Sequence, residues 1–375
     1  MKFFILVNSL SNGGAERVAS LWANGFARRG NEVFLILYSM KNVPYTYAVD
    51  NTIHIINIGG LLSKFCSKFL KLEIIRKRKL NVLVRKYHPD VIIGVMQPWA
   101  ECAYDIAKKM GIPVVNTEHF SLEWPNIAPG RTRKHKEKIY EWNKKYDYVT
   151  VLTKKDKACL DSIIKNVTVL PNPLPFEPHI DFKVKDNIIL AVGRLDGWYV
   201  KGFDLLIRAW AGIAPKYKDW KLQILGRYRE KSLYLLNSIV EKYNLGNQVE
   251  FVGYQEDVLT YYQKASIFVL SSRYEGFGMV LLEAMSQGCA CIACDYKGRQ
   301  REIINGDNNG ILCKTNDVEA LQYSINELIE NDGYREMLQM NAYERSKYFE
   351  LDHIMSIWDG IINKINEKGI QSNSL

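Results

Sequence analysis

The sequence predicts an α/β protein of two doubly wound domains, each a parallel sheet covered by helices on both faces. Three observations carry this. Short apolar runs alternate with longer amphipathic stretches almost throughout the chain, the rhythm of βαβ units. The length, 375 residues, suits two to three domains at roughly 100–200 residues each. A break at Leu170-Pro171-Asn172-Pro173-Leu174-Pro175, followed by a polar stretch to Asp186, divides the chain into halves of similar size.

Taken in order, the apolar runs of the first half place strands at Lys2–Val7, Glu32–Tyr38, Thr52–Ile58, Asp90–Met96, Pro113–His119, Tyr148–Thr153 and Val167–Leu170. The first of these has the look of a signal peptide. Its apolar stretch is short and runs straight into Asn8-Ser9 and Gly13-Gly14, so it reads as a buried strand and the chain as cytoplasmic. The prolines at 171, 173 and 175 cannot continue a helix or a central strand, so the linker belongs there. In the second half strands are expected at Asn187–Val192, Lys221–Leu225, Val249–Val252, Ser266–Leu270, Cys289–Cys294 and Gly310–Cys313. From Asp317 to Lys368 the pattern is helical, and its last segment gathers Ile354, Ile357, Trp358, Ile361, Ile362 and Ile365 on one face. The expected division is residues 1–172, 173–350 and a crossover helix with tail at 351–375, the helix packing back across a cleft between the two domains.

Composition excludes several classes. At 47% apolar and 24% charged residues the chain is neither disordered nor fibrous. No run of about 18 apolar residues marks a membrane span. The seven cysteines are odd in number and scattered, as free thiols in a reducing compartment would be. Cys289, Cys291 and Cys294 cluster, but inside an apolar run that reads as a core strand, and no second ligand pair accompanies them. Charge is uneven: residues 1–180 carry 27 Lys and Arg against 15 Asp and Glu, and the remainder 23 against 26. The basic half therefore points to an anionic partner, which charge alone leaves as nucleic acid, membrane or anionic substrate.

In open parallel sheets ligands sit outside the carboxyl ends of the strands, so chemistry is sought in the loops that follow strands. After the first strand, Gly13-Gly14 precede a helix, where bare backbone N–H groups can approach an anion. The spacing is neither a dinucleotide fingerprint nor a Walker loop. After the first strand of the second half, Gly193-Arg194-Leu195 and Lys201-Gly202 offer a guanidinium and an ammonium suited to a diphosphate. The segment Ser271–Met285, SSRYEGFGMVLLEAM, is the most informative. Gly276 and Gly278 open a helix N-terminus, Glu275 sits just before it, and Glu283 lies about two turns in, a carboxylate suited to vicinal sugar hydroxyls. Each also has a plain reading: a tight turn, solvated cations, a local cap.

Arg194 with Lys201, then Glu275-x7-Glu283 after a strand, resembles the retaining GT-B glycosyltransferases of family 4. The resemblance covers nearly the whole chain and includes Gly13-Gly14-Ala15-Glu16, Pro171-Asn172-Pro173, Phe251-Val252-Gly253 and Glu275-Gly276-Phe277. It is closest to enzymes that build bacterial surface polysaccharides and lipid-linked oligosaccharides. It implies that Arg194 and Lys201 bind the donor diphosphate and stabilise the leaving charge, and that Glu283 holds the nucleotide ribose. Glu275 and the backbone at Gly276, Phe277, Gly278 and Met279 would hold the donor sugar and phosphate. Gly14 would sit against phosphate and acceptor, and His119 would match the active-site histidine near the donor sugar. Where the family often has Gly-Asp-Gly, this chain has Gly226-Arg227-Tyr228, so Gly226 carries over as a donor-site residue but base recognition does not. Gly298-Arg299-Gln300-Arg301-Glu302 adds two cations where relatives often have Gly-Pro, a possible extra phosphate contact. No Asp-x-Asp stands at a strand end, so transfer is expected to need neither metal nor cofactor.

The resemblance implies transfer of a hexose or N-acetylhexosamine, with UDP favoured over GDP, to a glycan acceptor carried on a polyprenyl diphosphate. The acceptor would attack from the leaving-group face, with no enzyme nucleophile. Residues 61–88 hold nine Lys and Arg and one Glu among Leu, Phe, Ile and Val, the pattern of a helix lying on an anionic membrane. Arg131, Arg133, Lys134, Lys136 and Lys138 form a second cluster. Peripheral attachment to the inner face of the plasma membrane is therefore expected, against the plain alternative of a solvated helix. Competing readings are a GDP-mannose enzyme, a sugar-nucleotide epimerase, a phosphorylase, a non-catalytic nucleotide-sugar binder on the same fold, and a nucleic-acid binder, which no motif supports.

Overall fold

The computed structural model describes residues 1–11, 13–39, 45–59, 69–124, 133–182, 185–306 and 308–373. All thirteen expected strands are present, and every strand pairing is parallel. The chain divides into two compact units. The first comprises residues 1–123, 131–175 and 351–375, and the second residues 124–130 and 176–350.

The first unit runs β1 (Lys2–Val7), α1 (Gly14–Arg28), β2 (Glu32–Leu37), β3 (His54–Asn57), α2 (Phe69–Tyr87), β4 (Val91–Val95), α3 (Gln97–Lys109), β5 (Val114–Thr117), α4 (Arg133–Asn143), β6 (Tyr148–Val151), α5 (Lys154–Leu160) and β7 (Val167–Val169). Its seven strands lie in the order β3-β2-β1-β4-β5-β6-β7. Strands such as β4, VIIGV, are buried along their whole length, as a parallel strand covered on both faces must be. The order reverses between β1 and β4, and such a reversal opens a crevice at the carboxyl ends of the two strands.

The second unit runs β8 (Asp186–Val192), α6 (Trp198–Lys201), α7 (Phe203–Ala211), β9 (Lys221–Leu225), α8 (Glu230–Lys242), β10 (Val249–Gly253), α9 (Leu259–Lys264), β11 (Ala265–Leu270), α10 (Met279–Ser286), β12 (Ala290–Asp295), β13 (Ile311–Lys314), α11 (Val318–Glu330) and α12 (Asp332–Ser346). Its sheet has the order β10-β9-β8-β11-β12-β13, with the reversal between β8 and β11. In α7, Phe203, Leu206, Ile207 and Trp210 recur at helical spacing and are buried in one core with Ile224, Ile267 and Ile292. Each such side chain stabilises the unit by about 1.5–3 kcal/mol. Cys289, Cys291 and Cys294 are fully buried on and beside β12, and burial raises all three thiols. Cys66 lies outside the described residues.

The last helix, α13 (Leu351–Asn373), belongs to the first unit. Ile354, Trp358, Ile361 and Ile365 form its buried stripe. Trp358 meets Trp22 of α1 edge-on at 5.2 Å between ring centroids and Phe26 at 5.6 Å. Gly25 admits this approach: a Cβ there would come within 2.7 Å of Met355 Cγ and Sδ.

Candidate active site

Two candidate loops follow β8 and β11, the neighbouring strands at which the second sheet reverses. Lys201 and Glu275, 74 residues apart in sequence, are brought together there: Lys201 Nζ lies 2.7 Å from Glu275 Oε2, and both side chains keep some solvent access. Backbone contacts hold the two loops in register. Gly202 has φ +68°, and a Cβ on it would strike the Ser271 carbonyl oxygen at 1.9 Å, so glycine is required on both counts. Ser271 Oγ donates to the Lys201 carbonyl at 2.9 Å, and the Arg273 N–H donates to the Val200 carbonyl at 2.8 Å.

Arg273 itself, which the sequence analysis did not single out, is the main brace. Its guanidinium is buried and forked on Asp204 at the start of α7, at 2.6 and 2.8 Å. It also donates to the Tyr199 carbonyl at 2.6 Å and to Asn316 Oδ1 at 2.7 Å, and stacks on the Tyr199 ring at 4.1 Å. A planar fork with several donors suits this role and an ammonium does not. The only sequence signal is an arginine two residues before Glu275. Its partner, 69 residues away, has no local mark.

Arg194, by contrast, is exposed: its carbonyl accepts the Gly197 N–H at 3.0 Å, and its side chain makes no hydrogen bond or ion pair among the described residues. The Gly193 N–H donates to the Leu225 carbonyl at 2.9 Å, and Gly226, at φ +146°, could carry no Cβ because it would sit 1.8 Å from the Gly193 oxygen. The turns after β8 and β9 therefore touch backbone to backbone. Beyond Gly226, Arg227 lies over the Tyr254 ring at 5.4 Å, and the Arg229 N–H is taken by Asp196 at 2.8 Å.

Gly278 precedes α10 with φ +100°, and the first N–H returned to it comes from Leu281. The N–H groups before Leu281 are thus free of helical partners, and the helix dipole favours an anion beside them. Phe277 is buried, edge-on to Phe349 at 6.0 Å. Glu283, on the second turn of α10, is 5% exposed, and its Oε2 accepts the Tyr262 hydroxyl at 2.8 Å. Of the two extra cations beyond β12, Arg299 is fully buried and packs over Tyr296, and Arg301 is paired with Asp295 at 2.8 Å. Only Arg299 is withdrawn from the surface; Arg301 stays exposed in its pair.

In the first unit Gly14 is the exposed first residue of α1, and a Cβ there would meet nothing within 4 Å. His119 follows β5. Its Nε2 lies 3.0 Å from Thr117 Oγ1, and its ring packs on Trp22 at 5.4 Å. Burial pushes its pKa down to about 4, against a smaller opposing effect of the Asn172 side chain, so the ring is neutral at pH 7. Beside it, Asn116, Glu118 and Asn143 form a buried network with bonds of 2.7 to 2.9 Å, which ties β5 to the end of α4. A cavity of about 480 Å³ lies at the opposite end of this sheet, between Tyr104, Lys108, Lys145 and Asp147, away from all of these residues.

Of the basic segment at 61–88, residues 61–68 lie outside the described residues. In α2, Arg76 turns inward to the Tyr38 carbonyl at 2.8 Å and Lys79 to the Ile58 carbonyl at 3.4 Å. Ile74 and Val82 are exposed. Of the second cluster, Arg131 lies outside the described residues and Lys138 pairs with Glu101 at 3.0 Å. Among the described residues no helix is long and apolar enough to cross a membrane.

Comparison with known proteins bears on the family and the fold. Residues 12–177 match the model of Glycosyltransferase Family 4, and residues 176–345 that of Glycosyl transferases group 1. The amylovoran biosynthesis glycosyltransferase AmsD of Erwinia amylovora is 31% identical, over 96% of this chain and 99% of its own. An α-1,4-N-acetyl-D-galactosaminyltransferase of Campylobacter jejuni, named for a diphospho-undecaprenol-linked glycan, is 26% identical over 97% of this chain and 99% of its own. The crystal structure of Anabaena HepE in complex with UDP superposes with a TM-score of 0.76 at 17% identity, over 97% of this chain and 100% of that one, a likeness of fold.

Proposed function

The chain belongs to the group 1 and family 4 glycosyltransferases, and on that premise we propose that it moves a hexose or N-acetylhexosamine from a UDP-sugar to a growing glycan with retention of configuration. The acceptor in this reading is a glycan on a polyprenyl diphosphate, made for a surface polysaccharide. The observation that carries it is the joining of Lys201 and Glu275 beside the N-terminus of α10, at the strand reversal of the second sheet.

The chemistry follows from charge. As the glycosidic bond to the diphosphate breaks, negative charge grows on the departing oxygen. Arg194, Lys201 and the bare N–H groups before Leu281 are the positive groups available to it. Donors fixed in advance cost no reorganisation at the moment of reaction, and removing one typically costs 10²–10³ in rate. Lys201 would exchange Glu275 for phosphate, leaving Glu275 to accept donor-sugar hydroxyls. Glu283 would take the ribose hydroxyls. His119, neutral in the working range, would serve as a hydrogen-bonding partner of the sugar and not as a charge. Gly14 would let phosphate and acceptor approach α1. The acceptor hydroxyl attacks from the leaving-group face, its proton passes to the departing phosphate, and no enzyme nucleophile is needed. No metal or cofactor enters this reading.

Support for a lipid-linked acceptor comes from the C. jejuni relative, and support for UDP from the HepE complex. Attachment to the inner face of the plasma membrane is part of the same proposal, through cations of residues 61–88 other than Arg76 and Lys79. Substituting Lys64, Lys68, Lys71, Lys77 and Arg78 together should reduce binding to anionic vesicles at low salt, since each cation near such a surface is worth about 1 kcal/mol. Unchanged binding would remove the membrane surface from the proposal.

Calorimetric titration with UDP, GDP and their common hexose conjugates tests the donor. Binding of UDP that is lost in Glu283→Ala is the expected result. Transfer to a synthetic polyprenyl-diphosphate glycan, with the product anomer read by NMR, then tests acceptor and stereochemistry. An inverted product would sink the retaining mechanism.

A further inference from the structure

A ribose would read not only the presence of Glu283 but its aim. Glutamate has three rotatable side-chain bonds, so a carboxylate meant to meet a diol has to be held. Tyr262, on the last turn of α9, donates its hydroxyl to Glu283 Oε2 at 2.8 Å from a fully buried position. Its ring packs against Phe268 of β11 at 5.9 Å. The backbone carbonyl of Tyr262 is fixed as well. Lys185 Nζ donates to it at 3.1 Å and to the Gln287 carbonyl, just past α10, at 2.7 Å. The Cys289 thiol donates to the same Tyr262 carbonyl at 3.2 Å. One ammonium therefore ties the end of the helix that carries the phenol to the end of the helix that carries the carboxylate.

We infer that Tyr262 is a positioning residue that aims the Glu283 carboxylate, and that the preference of the donor site for a ribonucleotide depends on it. An ionised carboxylate offers about four acceptor sites, of which the phenol takes one. A phenol bound to one oxygen selects one rotamer, and with it the plane in which the remaining lone pairs meet two vicinal hydroxyls. Without it the carboxylate could still accept a hydrogen bond, but would pay in rotamer freedom on binding. The inference rests on the assignment of Glu283 to the ribose.

The test compares UDP with 2′,3′-dideoxy-UDP, and GDP with 2′,3′-dideoxy-GDP, by calorimetry on the wild type, Tyr262→Phe and Glu283→Gln, with the melting temperature of each recorded. A ratio of two affinities on the same sample does not depend on the fraction folded, so loss of stability cannot mimic the effect. The expected result is a wild-type preference for one ribonucleotide over its dideoxy analogue that falls about 5–20-fold in Tyr262→Phe, the scale of one charge-assisted hydrogen bond. The affinity for the dideoxy form should be little changed. If Tyr262→Phe keeps the full preference, or weakens both nucleotides equally, Tyr262 is only a packing residue and the inference falls while the Glu283 assignment stands. If the wild type has no such preference, or Glu283→Gln retains it, the ribose assignment fails and takes this inference with it.

Discussion

Single residues differ in what they can be asked to do. Arg194 and Lys201 are both cations, but the first is exposed and the second already holds Glu275. Either replaced by alanine should lower kcat by about 10²–10³ with donor affinity less affected, checked by steady-state kinetics. Equal loss of binding and turnover would assign them to ground-state binding alone. His119 offers a separate test through stability. Its folded pKa is about 4, below the ordinary value of 6.5, so between these the unfolded chain binds more protons than the folded one. Stability should therefore fall as pH drops from about 7 toward 4, by on the order of 2–3 kcal/mol at most for this one group. Melting curves at pH 7 and 5 should show the difference shrink in His119→Gln. No change would mean that another group carries the acid sensitivity. His119 was visible in the sequence as a polar residue at a strand end, but its neutrality was not, because burial is set by Trp22 and the chain around it.

At the scale of elements, the Arg273–Asp204 fork joins the start of α7 to the loop after β11. Breaking a buried pair by removing one partner strands the other charge, at a cost of about 3–5 kcal/mol. Asp204→Ala and Arg273→Ala should each lower stability by that order in urea titrations, whereas Arg273→Met with Asp204→Leu should recover part of it. If the double variant is as unstable as the sum of the singles, the cost lies in lost packing and not in stranded charge. The thirteen strands themselves were legible because a strand buried on both faces must be a continuous apolar run. The observed ends differ from the expected ones by a residue or two, as at β3, expected over Thr52–Ile58 and found over His54–Asn57. Apolar runs mark where a strand is covered, and pairing with β2 decides where it stops. Over residues 61–88 the same pattern reading counted nine cations as one surface. Arg76 and Lys79 instead bond to main-chain carbonyls of the sheet layer, which a charge count cannot see.

On the scale of the molecule, the chain leaves the first unit near residue 175 and returns to it at 351. Trp358 and Met355 cover Trp22, Phe26 and Gly25 on α1, so the first unit is finished only by the last helix. Residues 1–175 expressed alone should therefore expose this apolar face and unfold well below the intact protein in circular dichroism. A fragment as stable as the full chain would show that α13 is dispensable to the unit. Gly25→Leu should act in the same direction, through overpacking that typically costs about 1–3 kcal/mol. What the sequence by itself determined was the kind of fold and the places of its strands and of the loops that follow them. Periodicity, proline and glycine are local properties, and they survive reading one residue at a time. What only the tertiary structure decided was which of those loops meet. The reversal of strand order brings the turns after β8 and β11 side by side, so that Lys201 finds Glu275 and Asp204 finds Arg273, while the packing of α9 against α10 lets Tyr262 find Glu283. Such pairings depend on sheet order and side-chain burial, which are fixed by the packing of the whole unit and leave no mark in the spacing of the residues that form them.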